Sequence, residues 1–209
     1  MPFLEKTMKK LVLPVFVLAA AALCACSTPT RYVHPVEDAN LISVGIDAAD
    51  FEKAAAEAVS SMLRSGALDK NGGGRYVLAI STVTNDTMQR IDTDLLIKKI
   101  RIDLLNSGKV VVTTAVGVNG PEDPLSMMSR ELRDNEEFNR KTTMAKGQMI
   151  APELSLSGKI IQRNAAVSED EQRVDYYFQL TLTDIRTGLA LWEGETVIGK
   201  IASNKFAAW

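Results

Sequence analysis

Cysteine is almost absent from this chain: Cys24 and Cys26 are the only two, and none follows. A domain folded from the later residues has no disulfide and must hold by its core alone. Histidine is rarer still, with His34 the single copy. One histidine just after Cys26, and no thiol beyond it, leave no ligand set for zinc and no base for histidine-dependent nucleophilic catalysis. An excess of positive charge is missing as well. The chain has 24 basic and 26 acidic residues, a net −2, which gives no electrostatic case for nucleic acid or an anionic lipid surface. Its one sustained apolar run, Leu11 to Leu23, is broken by Pro14 and falls short of the roughly 20 residues that span a bilayer. The glycine run Gly72 to Gly74 follows a helical pattern and precedes a strand pattern, and no Gly-Lys-Ser/Thr follows it. That is the wrong order for a phosphate loop, and it reads as a turn. No internal repeat or low-complexity segment is present.

What is present begins at the N-terminus. Lys6, Lys9 and Lys10 precede the apolar run, and Leu23-Cys24-Ala25-Cys26-Ser27 closes it. Charge, apolar segment, small residues and then cysteine is the layout of a bacterial lipoprotein signal peptide, with a lipobox ending at Cys26. Cleavage before Cys26 is expected, with Cys24 on the discarded side. Met8-Lys9-Lys10 offers a second start. The acyl chains on Cys26, palmitate among them, then anchor the protein without a transmembrane helix. Ser27, rather than aspartate, points to the outer membrane and its periplasmic face. Losing the leader removes a net +2 and leaves about −4. Three segments are expected: signal peptide 1–25, lipidated N-terminus and linker 26–40 with Pro29 and Pro35, and one domain over 41–209. The linker reaches about 45 Å at most.

Leu41 to Ile46 reads as an edge strand or an extended lead-in. Asp47 is a good N-cap, and Phe51, Ala55, Ala58, Val59, Met62 and Leu63 recur at helical spacing up to Gly66. Tyr76 to Val83 predicts a buried strand and Asn85 to Arg90 a polar loop. Asp92 or Thr93 opens a second helix with Leu95, Leu96, Ile100, Ile102, Leu104 and Leu105, closed by Gly108. Lys109 to Thr114 is β-branched and short. Strand, helix, strand favours a parallel pair with a right-handed crossover. Leu125 to about Met144 is charged and predicts one or two mostly exposed helices. Leu154 to Gln162 alternates as a strand, and Val167 to Gln172 is an acidic tip. Val174 to Ile185 is a long strand with Tyr176, Phe178, Leu180 and Leu182 on one face. Thr187-Gly188 turns the chain, and Leu189 to Ile198 returns, anchored by Trp192. The expected fold is α/β: a single domain with a mixed β-sheet, a parallel strand-helix-strand part first and an antiparallel hairpin last, covered by helices.

Candidate chemistry is thin. Asp92 with Asp94, and Glu136 with Glu137, read as a helix cap and a solvated face rather than an acid–base pair. Glu169, Asp170 and Glu171 are consecutive and lack the alternate spacing of a calcium loop. No catalytic, metal or cofactor residue is expected, nor a small-molecule substrate. The surfaces open to a binding role are the sheet edge, the loop from Asn85 to Arg90 and the helices after Leu125. Candidate contact residues are Asn85, Thr87, Arg90, Met127 and Met128. Met127, Met128 and Leu132 form a stripe that is either a partner surface or the helix's own buried face.

Several strings resemble a known family. They are Ser155-Leu156-Ser157-Gly158-Lys159-Ile160-Ile161, Tyr177 to Asp184, and Thr187-Gly188-Leu189-Ala190-Leu191-Trp192-Glu193-Gly194-Glu195. Val83 to Thr87, a helix, and Asn106-Ser107-Gly108-Lys109 add to them. Together with the lipobox they resemble penicillin-binding-protein activator lipoproteins of the LpoB type, over roughly residues 41–200. Curli-secretion lipoproteins and the TolB N-terminal domain end in a similar hairpin. The resemblance implies a non-catalytic outer-membrane lipoprotein that docks on a class A penicillin-binding protein and stimulates cell-wall synthesis. The alternative it leaves is an accessory lipoprotein of a curli-secretion-like envelope assembly. Only Cys26 carries over as a matched functional residue. The long proline-rich linker of the best-known members is replaced here by a short one.

Overall fold

A computed structural model describes residues 45–203. The expected signal peptide, Cys26, the linker and residues 41–44 lie outside the described residues. Gly45 and Ile46 form no strand, so the lead-in alternative holds for them.

Helix α1 (Ala48–Arg64) starts where Asp47 predicts. The Asp47 carboxylate accepts from the N–H groups of Ala49 (3.0 Å) and Asp50 (3.1 Å), and Asp50 Oδ2 accepts in return from the Asp47 N–H (2.9 Å). This reciprocal capping box satisfies the open end of the helix. Its buried stripe is Phe51, Ala54, Ala55, Ala58, Val59 and Met62. Three alanines in that stripe let the helix axis lie close to the sheet. The chain leaves the helix through Gly66 at φ +74°, a left-handed conformation glycine adopts without strain.

Strand β1 (Tyr76–Asp86), helix α2 (Thr93–Asn106) and strand β2 (Val110–Val112) follow, and β1 pairs with β2 in parallel, Tyr76 opposite Val110. Helix α3 (Leu125–Glu131) and one 3-10 turn (Leu132–Asp134) lie in the long crossover to β3 (Leu154–Ala166). Strands β4 (Glu171–Asp184) and β5 (Ala190–Ser203) complete one sheet in the order β2-β1-β3-β4-β5. Strand β3 is parallel to β1 and antiparallel to β4. The mixed α/β sheet is thus as expected, but its antiparallel part is a three-stranded meander rather than one hairpin.

Direct cross-strand rows build the core: Leu156, Leu182 and Trp192; then Ile160, Phe178 and Thr196; then Gln162, Tyr176 and Ile198. All nine side chains are buried. Phe51 meets Phe178 edge to face at 6.3 Å, joining α1 to the middle row. Leu96, Ile100 and Leu104 of α2 extend the same core toward β1. Among the described residues, no helix is long and apolar enough to cross a membrane.

Two expectations are corrected. Strand β1 runs on to Asp86 rather than ending at Val83. An extra residue between Ile80 and Val83 shifts its register, after which Asn85 and Asp86 pair with Ile160 and Ile161. Lys159 then meets Asp86 across the strands at 2.7 Å. The stretch after Leu125 is helical only to Asp134. Beyond it the Asn135 and Asn139 carboxamides each accept a backbone N–H two residues on, from Glu137 and Lys141, at 3.0 Å. Such local bonds give the backbone an alternative to the helical ladder. Sparse apolar residues there offer no compensating burial.

Two contacts hold the ends of the domain. Lys70 Nζ and the Val77 N–H both bond Glu153, which locks the entrance of β3 beside that of β1. The Lys70 bond, then the Val77 N–H, holds the Glu153 carboxyl below its ordinary range. At the other end Lys200, with a side chain 9% exposed, reaches Asp50 at 2.5 Å, Asp47 at 3.1 Å and the Gly45 carbonyl at 2.8 Å.

Lys200→Met should destabilise the domain by about 3 kcal/mol, because the 10% exposed Asp50 carboxylate loses its cation. Urea unfolding checks this; a loss under about 1 kcal/mol would mean the pair is idle. Gly194→Ala should cost about 1–3 kcal/mol by overpacking, since a Cβ there would sit 2.3 Å from the Trp192 ring. Trp192 emission should also shift to the red, read with Trp209 replaced by Phe; an unchanged spectrum and midpoint would contradict the packing.

Candidate docking surfaces

The loop after β1 is held by its own side chains. Asn85 Nδ2 donates to the Gln89 carbonyl (2.7 Å), and Asn85 Oδ1 accepts from the Thr87 N–H (3.1 Å) and hydroxyl (2.7 Å). The Thr87 hydroxyl accepts from the Gln89 N–H (3.1 Å), and Gln162 Oε1 takes the Met88 N–H (3.2 Å). Asn85 and Thr87, proposed above as contact residues, therefore spend their polar groups inside the loop. Arg90 is exposed. So is Met88, 70% exposed at the tip, which sequence reasoning passed over because a single apolar residue in a polar loop carries no period.

Gln89 has a second task. Its Oε1 accepts from the Ile46 N–H (3.2 Å) and its Nε2 donates to the Tyr176 hydroxyl (2.9 Å). A Cβ on Gly45 would lie 2.7 Å from Gln89 Nε2, so Gly45 is the residue that lets the chain pass this close. Burial, then the Asp50 charge, pushes the Tyr176 hydroxyl above its ordinary range and keeps it neutral. With Lys200 on the Gly45 carbonyl, the lead-in is fixed at the end of the sheet where β1 and β5 finish.

Met127 and Met128 lie on α3. This helix buries no residue, and Met127 and Met128 are 44% and 54% exposed. Of the two readings of the methionine stripe, the buried face is the one the structure removes. The two candidate groups stand on different elements, one after β1 and one in the crossover, and do not form one constellation.

A groove of about 430 Å³ is lined by Ile80 to Val83, by Thr93, Asp94, Ile97, Lys98 and Arg101 of α2, and by Val116 to Glu122. On its wall Arg101 pairs with Glu122. That bond holds the Glu122 carboxyl below its ordinary range, so Glu122 has no raised proton affinity for acid catalysis. Asp94, the other carboxylate on the wall, is exposed. A second groove of about 640 Å³ lies where α1 meets β5, lined by Ser61, Arg64, Trp192 and Gly194 among others. Among the described residues, no group of three or more His, Cys, Asp or Glu is placed to hold a metal ion. What these elements offer, among the described residues, is surface.

Comparison with known proteins enters here. Residues 50–198 match the family described as peptidoglycan-synthase activator LpoB. No curated protein matches. Among solved structures, the LpoB C-terminal domain from Escherichia coli is 16% identical, with 72% of this chain and 99% of that one covered and a TM-score of 0.42. The domain from Salmonella enterica is 17% identical, with 71% and 98% covered and a TM-score of 0.40. A lipoprotein from Neisseria meningitidis is 16% identical, with 62% and 86% covered and a TM-score of 0.34. Membership rests on the sequence match, which spans nearly the whole described domain from α1 to β5: the chain belongs to the LpoB family of peptidoglycan-synthase activators.

Proposed function

We propose that this chain is a lipid-anchored, non-catalytic activator of a class A penicillin-binding protein, held by Cys26 on the periplasmic face of the outer membrane. The family match over residues 50–198 is the observation that supports it. The exposed apolar face of α3 adds to it. A protein that acts by docking must offer apolar surface its own core does not use, and Met127 and Met128 are such residues. Arg90 and Met88 on the loop after β1 form a second contact point, with Asn85 and Thr87 shaping the loop rather than touching the partner. In this reading residues 1–25 are the leader, residues 26–40 the tether, and the domain that follows does the docking.

The anchor is tested directly. Cys26→Ser should abolish palmitate incorporation and move the protein from the membrane pellet to the soluble fraction; a labelled, sedimenting variant would sink the lipobox reading. Docking is tested with purified mature protein and the periplasmic region of a class A penicillin-binding protein. Binding and a rise in the glycan polymerisation rate are expected. Met127→Glu with Met128→Glu should weaken binding about tenfold or more, as loss of a central apolar contact does, with an unchanged unfolding midpoint because both are exposed. Equal binding by the double variant would exclude α3 from the interface.

A further inference from the structure

The crossover beyond α3 is unlike the rest of the molecule in charge. The chain as a whole is acidic, yet residues 138–152 contain Arg140, Lys141 and Lys146 and no Asp or Glu. Glu136 and Glu137 precede the stretch and Glu153 follows it, where Lys70 binds it. All three basic side chains are exposed, and none enters an ion pair among the described residues. Exposed apolar residues lie among them: Phe138 at 44%, Met144 at 46% and Ile150 at 74%.

The stretch also has a defined shape. Asn139 accepts from the Lys141 N–H, and the Thr142 N–H and hydroxyl both bond the Asn139 carbonyl. Arg133 Nη1 donates to the Met144 carbonyl (3.2 Å), tying the turn after α3 to the middle of the stretch. Gly147 turns the chain at φ +76°. A surface already ordered before contact loses less entropy on binding.

We infer that residues 138–150 are a docking surface for an acidic, partly apolar face of a protein partner. This rests on the reading that the chain binds a peptidoglycan synthase, and it names the chemistry the synthase would offer. Unpaired cations set among exposed apolar side chains fit a partner with carboxylates around an apolar patch. An anionic membrane is a poorer fit on two grounds. A membrane-surface segment is an amphipathic helix with one apolar face, and this stretch is a series of turns. It also ends at Glu153 beside Val77, where β1 begins. The lead-in at Gly45 is fixed near Gln89, beyond the other end of β1. An anchor upstream of Gly45 therefore leaves from the opposite end of the strand.

The test uses the mature chain, a triple variant (Arg140→Glu, Lys141→Glu, Lys146→Glu) and a control triple (Lys53→Glu, Arg75→Glu, Lys98→Glu) with the same charge change elsewhere. Each is titrated, over a salt series, against the periplasmic region of a class A penicillin-binding protein and against poly-glutamate. The first triple should lose about tenfold or more of its synthase affinity at low salt and show a flatter salt dependence. It should also lose its poly-glutamate binding, while the control triple keeps both. If the unaltered chain binds the synthase and the first triple binds it equally, or the control loses as much, the inference is overturned and the docking function stands. If the unaltered chain ignores the synthase but binds poly-glutamate through these residues, the acidic acceptor is supported and the synthase reading fails. Binding to neither overturns both. Vesicles containing phosphatidylglycerol form the last arm: binding that depends on these three residues, with synthase affinity unchanged, would assign the surface to a membrane instead.

Discussion

One constraint governs the architecture: the alternation of the last three strands puts the large buried side chains of the meander on a single face. Leu156, Ile160, Phe178, Leu180, Leu182, Trp192 and Ile198 all point the same way. A sheet with one apolar face needs one covering layer, and α1 and α2 supply it. The alanine stripe of α1 follows, because a helix over a face that holds Phe178 and Trp192 must bring its own bulk down. Gly194 follows too, since the Trp192 ring occupies the space where a Cβ would stand. Gly158 meets the same limit on β3, where a Cβ would lie 2.5 Å from the Gln179 carbonyl oxygen. The core is closed by backbone approach as much as by side-chain volume.

The same constraint leaves the crossover from β2 to β3 outside the core. Strand β3 joins the sheet on the far side of β1 from β2, so the chain must pass from one side of β1 to the other. The helices already cover the apolar face. What remains for the crossover is surface, and its composition agrees: α3 buries nothing, and its apolar residues stay in solvent. A methionine-rich segment that gives the fold little burial adds exposed apolar area for no gain in stability. That makes it the natural place for intermolecular contact.

Much of this was legible in sequence. Asp47 with Asp50 marks a helix start by local chemistry alone, and the period-2 pattern from Tyr176 to Leu182 marks a half-buried strand. The strand-helix-strand order predicts the β1–β2 parallel pair. What was not legible depends on contacts between residues far apart in the chain. The direction of β3 relative to β1 is set by tertiary packing, since Leu154 to Gln162 has the same alternation in either orientation. The extra residue between Ile80 and Val83 shows only when β1 is laid against β3, and it carries Asn85 from the expected loop into the strand. Lys200 on Asp47, and Gln89 on Tyr176, span separations that no local pattern reports. Of the candidate contact residues, Met127 and Met128 were readable as a stripe. Their side of the helix was not, because five or six apolar residues in a charged segment suit burial and exposure equally.

The fixing of Gly45 sets where the preceding chain meets the sheet. Here Lys200 and Gln89 hold the exit point against the sheet, next to the ends of β1 and β5. The chain before Gly45 therefore meets the domain at that end. The entrance of β3, with Ile150 and Glu153, lies about 30 Å from that end along the strand direction. A chain held at this entry point leaves the opposite end of the sheet clear of its own lead-in. That separation favours a binding surface in the crossover over one beside the lead-in.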